Sequence, residues 1–261
     1  MKKYFLIVFI LFAVSVVYAQ TTPESDFIVI LTDDYTGVVI VEYTGSSGDV
    51  YIPAIIQGMP VKEIGRSNGW RAFSDNSSRF ITSVVIPESV TIIGPRAFES
   101  CIRLSSVTLP STLVSIGWGA FSGCIALTSI TLPVGLTEIE GYAFNNTGLI
   151  SFPNPWPKAV TIINEWMFRG TKLHTVVIPE GITSIGNEVF ALCNDLTSVT
   201  LPSTISSLTR GIFFNCRSLI TVNIHESIEK IQFDFNVFSG SRNINIASQA
   251  RLRQLGYSGN F

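Results

Sequence analysis

A pattern of about 23 residues recurs through most of this chain and constrains the fold more than any other feature. Residues 104–121 read LSSVTLPSTLVSIGWGAF, residues 127–144 read LTSITLPVGLTEIEGYAF and residues 196–213 read LTSVTLPSTISSLTRGIF. The shared template is L-x-S-[VI]-T-L-P, five residues, an aliphatic, four residues, Phe. Pro87, Pro110, Pro133, Pro157, Pro179 and Pro202 are separated by 23, 23, 24, 22 and 23 residues. A phenylalanine follows each proline by 11 residues, at Phe98, Phe121, Phe144, Phe168, Phe190 and Phe213. The next step of 23 falls on His225, and Phe73 and Phe238 extend the series through short insertions, so eight units are readable.

A unit this short cannot bury its own apolar face. Stacking units in parallel places Leu on Leu and Phe on Phe along one continuous core. The L-x-S-V-T-L segment is β-branched and alternates in polarity, which predicts a strand. The proline ends it, because it has no N–H to give a ladder. Strands about 4.8 Å apart would line an inner sheet roughly 40 Å long over eight units. The aliphatic before each Phe (Ile93, Ile116, Ile139, Ile163, Ile185, Leu208) is expected to pack inward on the opposite wall. Gly94, Gly117 and Gly186 after it are expected to allow a tight turn.

These residues resemble the BspA-like leucine-rich-repeat family of bacterial surface proteins. The resemblance covers residues 50–238, and L-S-S-V-T-L-P…I-G-W-G-A-F-S-G-C at residues 104–124 carries it most clearly. Residues 50–73, VYIPAIIQGMPVKEIG…AF, are similar to the family's first unit with its I-x-G-x-P-V insertion. The resemblance implies an α/β-type repeat solenoid displayed outside the cell. It would be a curved right-handed coil with a parallel concave β-sheet and short helical or irregular segments outside. Residues 20–49 contain two alternating apolar runs, 27–32 and 38–43, around Asp33-Asp34-Tyr35-Thr36-Gly37, and are expected to form an N-terminal β-hairpin cap. Residues 239–261 lose the repeat and are expected to cap the other end, with a short basic helix over 247–255 ended by Gly256.

The first 19 residues have the form of a cleaved signal peptide, with Lys2 and Lys3 ahead of an apolar stretch of about 14 residues and Val17-Tyr18-Ala19 as the cleavage site. That stretch is short of the roughly 20 residues needed to span a bilayer, and no membrane span is expected in the mature chain. Only 14% of residues are charged and the net charge is −2. Losing Lys2 and Lys3 leaves 15 basic against 19 acidic residues. With no run of five basic residues, nucleic acid is not an expected partner.

No catalytic constellation is visible, and neither an enzyme nor a cofactor is expected. Cys101, Cys124, Cys193 and Cys216 each lie three residues after a repeat Phe. Export would permit disulfides. Thr147 and Thr171 at the same template position favour a buried ladder of small residues, and the absence of C-x-x-C argues against zinc. His174 and His225 replace ordinary template residues. Glu138, Glu140, Glu165, Glu180 and Glu188 occupy variable loop positions, and Asp33-Asp34 reads as a solvated turn. A glycosidase carboxylate pair has no positive support.

The strand face is the most informative surface. If Leu, Val and Leu of each strand point inward, the third and fifth residues point out, giving Ser83/Val85, Ser106/Thr108, Ser129/Thr131, Pro153/Pro155, Thr175/Val177, Ser198/Thr200 and Thr221/Asn223. Such residues also simply suit strands. Within this face the candidate ligand contacts are Ser106, Thr108, Ser129, Thr131, Pro155, Trp156, Thr175, Val177, Ser198 and Thr200. Trp156 enters because 153–157, PNPWP, is where the repeat departs most from its template. Trp70, Trp118 and Trp166, just before repeat phenylalanines, form a second aromatic candidate. The expected function is an exported, non-catalytic binding module, secreted, at the cell surface or in the periplasm. Its expected partners are extracellular or host proteins, with glycans as a further class. The alternatives are a structural or self-associating envelope protein and, last, a secreted glycan hydrolase.

Overall fold

The computed structural model describes residues 21–66, 71–73 and 79–261. The expected signal peptide and Trp70 lie outside the described residues. The chain forms a β-solenoid of about eight turns, and each of its eight repeat phenylalanines is fully buried. Their rings stack from Phe73 to Phe238 with centroids 4.6 to 5.8 Å apart and planes within 20° of parallel. Each such contact adds about 0.5–1.5 kcal/mol to its area burial. Tyr43 and Phe27 continue the stack at one end, and Tyr257 and Phe261 close it at the other.

The L-x-S-V-T-L segments pair as parallel strands. Strands β3 (Asp49–Tyr51), β6 (Ser83–Val85) and β8 (Ser106–Thr108) form one run. Strands β12 (Thr175–Val177), β14 (Ser198–Leu201) and β16 (Thr221–Ile224) form another. The aliphatic positions before each Phe do pack inward, and they do more than the sequence suggested. They lie on short strands of a second parallel sheet on the opposite wall. Strands β5 (Met59–Ile64), β7 (Ile92–Ile93), β9 (Ser115–Ile116) and β10 (Glu138–Ile139) pair in order. Strand β11 (Ile162–Ile163) pairs with β13 (Ser184–Ile185), and β15 (Ser207–Leu208) pairs with β17 (Gln232–Phe233).

At the entry, β1 (Phe27–Leu31) and β2 (Val38–Tyr43) make an antiparallel hairpin. It extends the second sheet through β2–β5, and β4 (Ile55–Ile56) folds back on β5. At the exit, helix α1 (Ile246–Gln254) is capped by Asn245, whose side chain accepts the Ser248 N–H, and its Ser248 hydroxyl accepts the Val222 N–H. Among the described residues helix is confined to α1 and a single 3-10 turn, Glu24–Asp26. The segments between the strands are turns rather than short helices.

The turns follow one backbone rule. The residue two before each Phe, from Phe98 to Phe238, has φ between 52° and 63°, whether it is Arg96, Gly119, Tyr142, Trp166, Glu188, Gly211 or Asn236. The residue two after it is left-handed as well, as at Ser100, Asn146, Leu192 and Asn215. These reversals aim backbone N–H groups at the next turn. The resulting ladder runs without a break from Phe73 N–H on Ala97 O (3.0 Å) to Asn215 N–H on Ser239 O (2.8 Å).

The glycine that recurs after the aliphatic serves a different purpose from the one expected. Gly94, Gly117 and Gly186 are not at positive φ. They sit where a side chain would strike the backbone of the preceding turn. A Cβ at Gly117 would lie 2.6 Å from Pro95 N and 2.8 Å from Gly94 C. We expect Gly117→Ala to cost about 1–3 kcal/mol through overpacking against backbone that cannot yield. A urea midpoint equal to that of the parent would contradict this.

The proline turns carry a second link between units. The Glu88 carboxylate accepts the Ser111 N–H and hydroxyl, and 92 residues on the Glu180 carboxylate accepts the Ser203 N–H and hydroxyl in the same way. The Ser111 and Ser203 bonds hold both carboxyls below their ordinary range. A lowered folded pKa gives stability that is present above the unfolded value of about 4.3 and is lost as pH falls through the folded value. The urea midpoint of the parent should therefore drop on acidification below about pH 4.3 more steeply than that of an E88Q/E180Q double variant.

Candidate interaction surface

The strand face is built from residues whose register the ladders fix. Ser83 lies beside Ser106, and Val85 beside Thr108. Further along, Thr175, Ser198 and Thr221 form one row and Val177, Thr200 and Asn223 the next. Ser106, Thr108, Thr175 and Val177 are exposed, while Ser198 and Thr200 are half-buried. The Asn223 amide donates to Ser198 Oγ at 3.4 Å and to Thr200 Oγ1 at 3.2 Å. At the N-terminal end Asp49 accepts from Ser83 Oγ (2.6 Å) and Thr82 Oγ1 (3.0 Å), which lowers its pKa. By contrast, the side chains of Ser106, Thr108, Ser129, Thr131 and Thr175 make no hydrogen bond within the described residues.

The face is divided rather than continuous. Ser129 and Thr131 are exposed but belong to no strand, and the N–H groups of residues 128–131 meet no backbone acceptor among the described residues. Their neighbour on the far side is the 151–157 segment, where Pro153, Pro155 and Pro157 have no N–H to offer. Pro155 is exposed. Trp156 is not a surface contact. It is 8% exposed, its indole N–H donates to Val160 O at 2.8 Å, and its ring stacks on Phe152 at 5.2 Å. The ring stands before Pro157 at the position where other units carry Ile86, Leu132, Ile178 and Leu201, all buried, and like them it was absorbed into the core.

Trp118 and Trp166 are half-buried in a row that the sequence reading left incomplete. Tyr142 stands between them, with ring centroids 4.6 Å from Trp118 and 4.7 Å from Trp166, and the Arg96 guanidinium lies over Trp118 at 4.7 Å. Their shared template position, two or three residues before Phe, was the available signal. The rings cover one another's faces, so this row acts as a side-chain ladder beside the backbone one.

The remaining candidates sit at repeat positions. The four cysteines are free thiols buried in the turns. Cys124, Cys193 and Cys216 point their Sγ at Phe98 O, Phe168 O and Phe190 O at 3.0 to 3.2 Å. Burial pushes Cys101 up to about 12 and Cys193 to about 11. Thr171 occupies the same site and meets Cys193 Sγ at 3.3 Å. His174 Nδ1 lies 3.4 Å from Ile150 O, and His225 Nδ1 accepts the Ser227 N–H in a local turn. Glu140 accepts the Trp118 N–H, and Glu188 pairs with Arg210 and Arg169. Asp34, held at about 2 by the hydroxyls of Thr32 and Thr36, ties the hairpin turn, and Asp33 pairs with Arg66. Among the described residues no group of three or more His, Cys, Asp or Glu could hold a metal ion, and no helix is long and apolar enough to cross a membrane.

Comparison with known proteins agrees with this architecture. The description "BspA type Leucine rich repeat region" matches in six copies over residues 69–176 and 150–245. No match was found among functionally curated proteins. Among solved structures, a leucine-rich repeat protein of T. pallidum is 29% identical, with a TM-score of 0.62, covering 93% of this chain and 99% of that one. A leucine-rich cell surface protein from Faecalibacterium prausnitzii is 24% identical over 87% of this chain and 81% of that one, with a TM-score of 0.55. A leucine-rich repeat protein from Bacteroides ovatus, 20% identical with a TM-score of 0.51, covers the same shares. These last two share the fold. Stacked phenylalanines, proline-ended strands and a profile match across most of its length lead to one conclusion: this chain belongs to the BspA-type leucine-rich repeat family.

Proposed function

We propose that this protein is an exported, non-catalytic binding module that engages extracellular proteins through its strand face. One observation carries the reading. The outward hydroxyls of Ser106, Thr108, Ser129, Thr131 and Thr175 make no hydrogen bond among the described residues. Hydroxyls present only to suit a strand would be expected to bond along the ladder. Uncharged and exposed, they offer donors and acceptors to a partner without a charge to desolvate. The N-terminal sequence and the cell-surface description of a structural relative support export. In a plate assay against extracellular matrix and cell-surface proteins, the purified protein should bind saturably, and an S106K/T108K variant should bind at least about tenfold more weakly. Saturable binding indifferent to that variant would move the site elsewhere, and no binding across the panel would refute the reading.

Self-association is a second reading, favoured by β1. This edge strand, FIVIL, carries no charge, and Ile28, Ile30 and Leu31 are 36 to 47% exposed. Uncharged edges invite strand pairing. Sedimentation of the parent and of Ile30→Lys as a function of concentration tests it, since identical monomeric behaviour would remove it.

A further inference from the structure

Between β10 and β11 the second sheet opens. In the turns before it each unit bonds to its predecessor in one way, with Ser115 N–H on Thr91 O, Gly117 N–H on Ile93 O, Glu138 N–H on Val114 O and Glu140 N–H on Ile116 O. The equivalent N–H groups of Thr161, Ile162 and Asn164 reach no backbone acceptor among the described residues, and no pairing joins β10 to β11. Thr137 O, which would receive two of them, is likewise without a backbone donor. Ile139 O is met instead by the Asn164 side chain, Nδ2 at 2.6 Å. A groove of about 430 Å³ lies between the two strands. The second sheet parts in the same way between β13 and β15, where Thr209 Oγ1 donates to Ile185 O at 3.0 Å, so each opening accompanies a side chain that takes the acceptor carbonyl of the preceding turn. Tyr142 N–H on Glu165 O and Phe144 N–H on Met167 O hold the turns around β10 and β11 together on the Phe side.

We propose that this groove is a β-augmentation site, which takes an extended peptide carrying a lysine or arginine at an outward position. The site lies on the sheet opposite the hydroxyl face and is independent of it. One wall presents N–H groups and the other a carbonyl, which is the complement of a strand edge. The volume falls within the roughly 300–1,000 Å³ of clefts that hold ligands. The run from Thr161 to Asn164 accommodates about four residues, roughly 13 Å of extended chain. Glu138 and Ile162 are both exposed and face outward on either side. A residue between them would be a cross-strand neighbour of both, and a long basic side chain pairs with the first while its methylenes cover the second. A second copy of this chain is the rival occupant.

The probes are the peptides acetyl-Val-Thr-Lys-Val-Thr amide and its counterpart with Glu in place of Lys, with amide hydrogen exchange of the purified protein followed by NMR. Without peptide, the Thr161, Ile162 and Asn164 amides should exchange at least about tenfold faster than those of Ser115 and Gly117. The lysine peptide at about 1 mM should slow them at least tenfold, with the glutamate peptide much less effective. Glu138→Lys should reverse that preference. Asn164→Gly, which restores the residue found at Gly117, should let the backbone close and give slow exchange without any peptide. Fast exchange that neither peptide changes would overturn the proposal, and so would amides already as protected as that of Gly117. Protection that grows with protein concentration alone would assign the groove to a second copy and equally overturn it.

Discussion

Replacing Phe144 by alanine is expected to destabilise the solenoid by about 3–5 kcal/mol, the cost of deleting a buried aromatic and leaving a cavity. Phe144 is fully buried and lies between Phe121 and Phe168, at 5.8 and 5.7 Å. Both stacking contacts go with it. Because stability in stacked repeats is close to a sum of nearest-neighbour terms, the damage should be local. Calorimetry should show the parent's transition splitting, with the amides of turns on either side of Phe144 losing protection first. A single transition shifted by less than about 1 kcal/mol would show that the ring stack is not what couples the turns.

Trp156→Ala is the second large effect, again about 3–5 kcal/mol. The indole fills the space between Phe152 and Phe168 and donates to Val160 O. Trp156→Phe separates the two contributions. It keeps an aromatic ring and loses one buried hydrogen bond, worth about 1 kcal/mol. If Trp156 were a surface contact, the alanine variant would unfold at the parent's urea concentration and change only binding.

The sequence reading was strongest where one residue type does one job at a fixed spacing. The proline–phenylalanine interval of 11 set the phase of every turn, and Leu127, Ile139 and Phe144 are buried in the order it implies. The four cysteines were readable as turn residues because Thr147 and Thr171 stand in for them. Two things were not legible. Beyond β5 the second sheet consists of two-residue strands, too short to produce a period of two. The left-handed positions accept Trp166, Leu192 or Glu188 as well as glycine, so composition does not mark them. The fate of Trp156, by contrast, was legible and missed: it precedes Pro157 as Leu132 and Leu201 precede Pro133 and Pro202, and these are buried. Of the candidate contacts, Ser106, Thr108, Thr175 and Val177 lie exposed on ladders. Ser129 and Thr131 lie off them.

The ladder along the phenylalanine turns is unbroken, whereas among the described residues neither sheet has strand pairing between the units of Phe144 and Phe168; the second sheet parts again between β13 and β15, but there the first stays paired through β12 and β14. The molecule therefore has a fulcrum. Any bending about it would leave the Phe edge at constant length and change the angle between the half that carries Ser106 and Thr108 and the half that carries Thr175 and Thr200. A partner large enough to touch both halves would work against that lever, and one confined to a single half would not sense it.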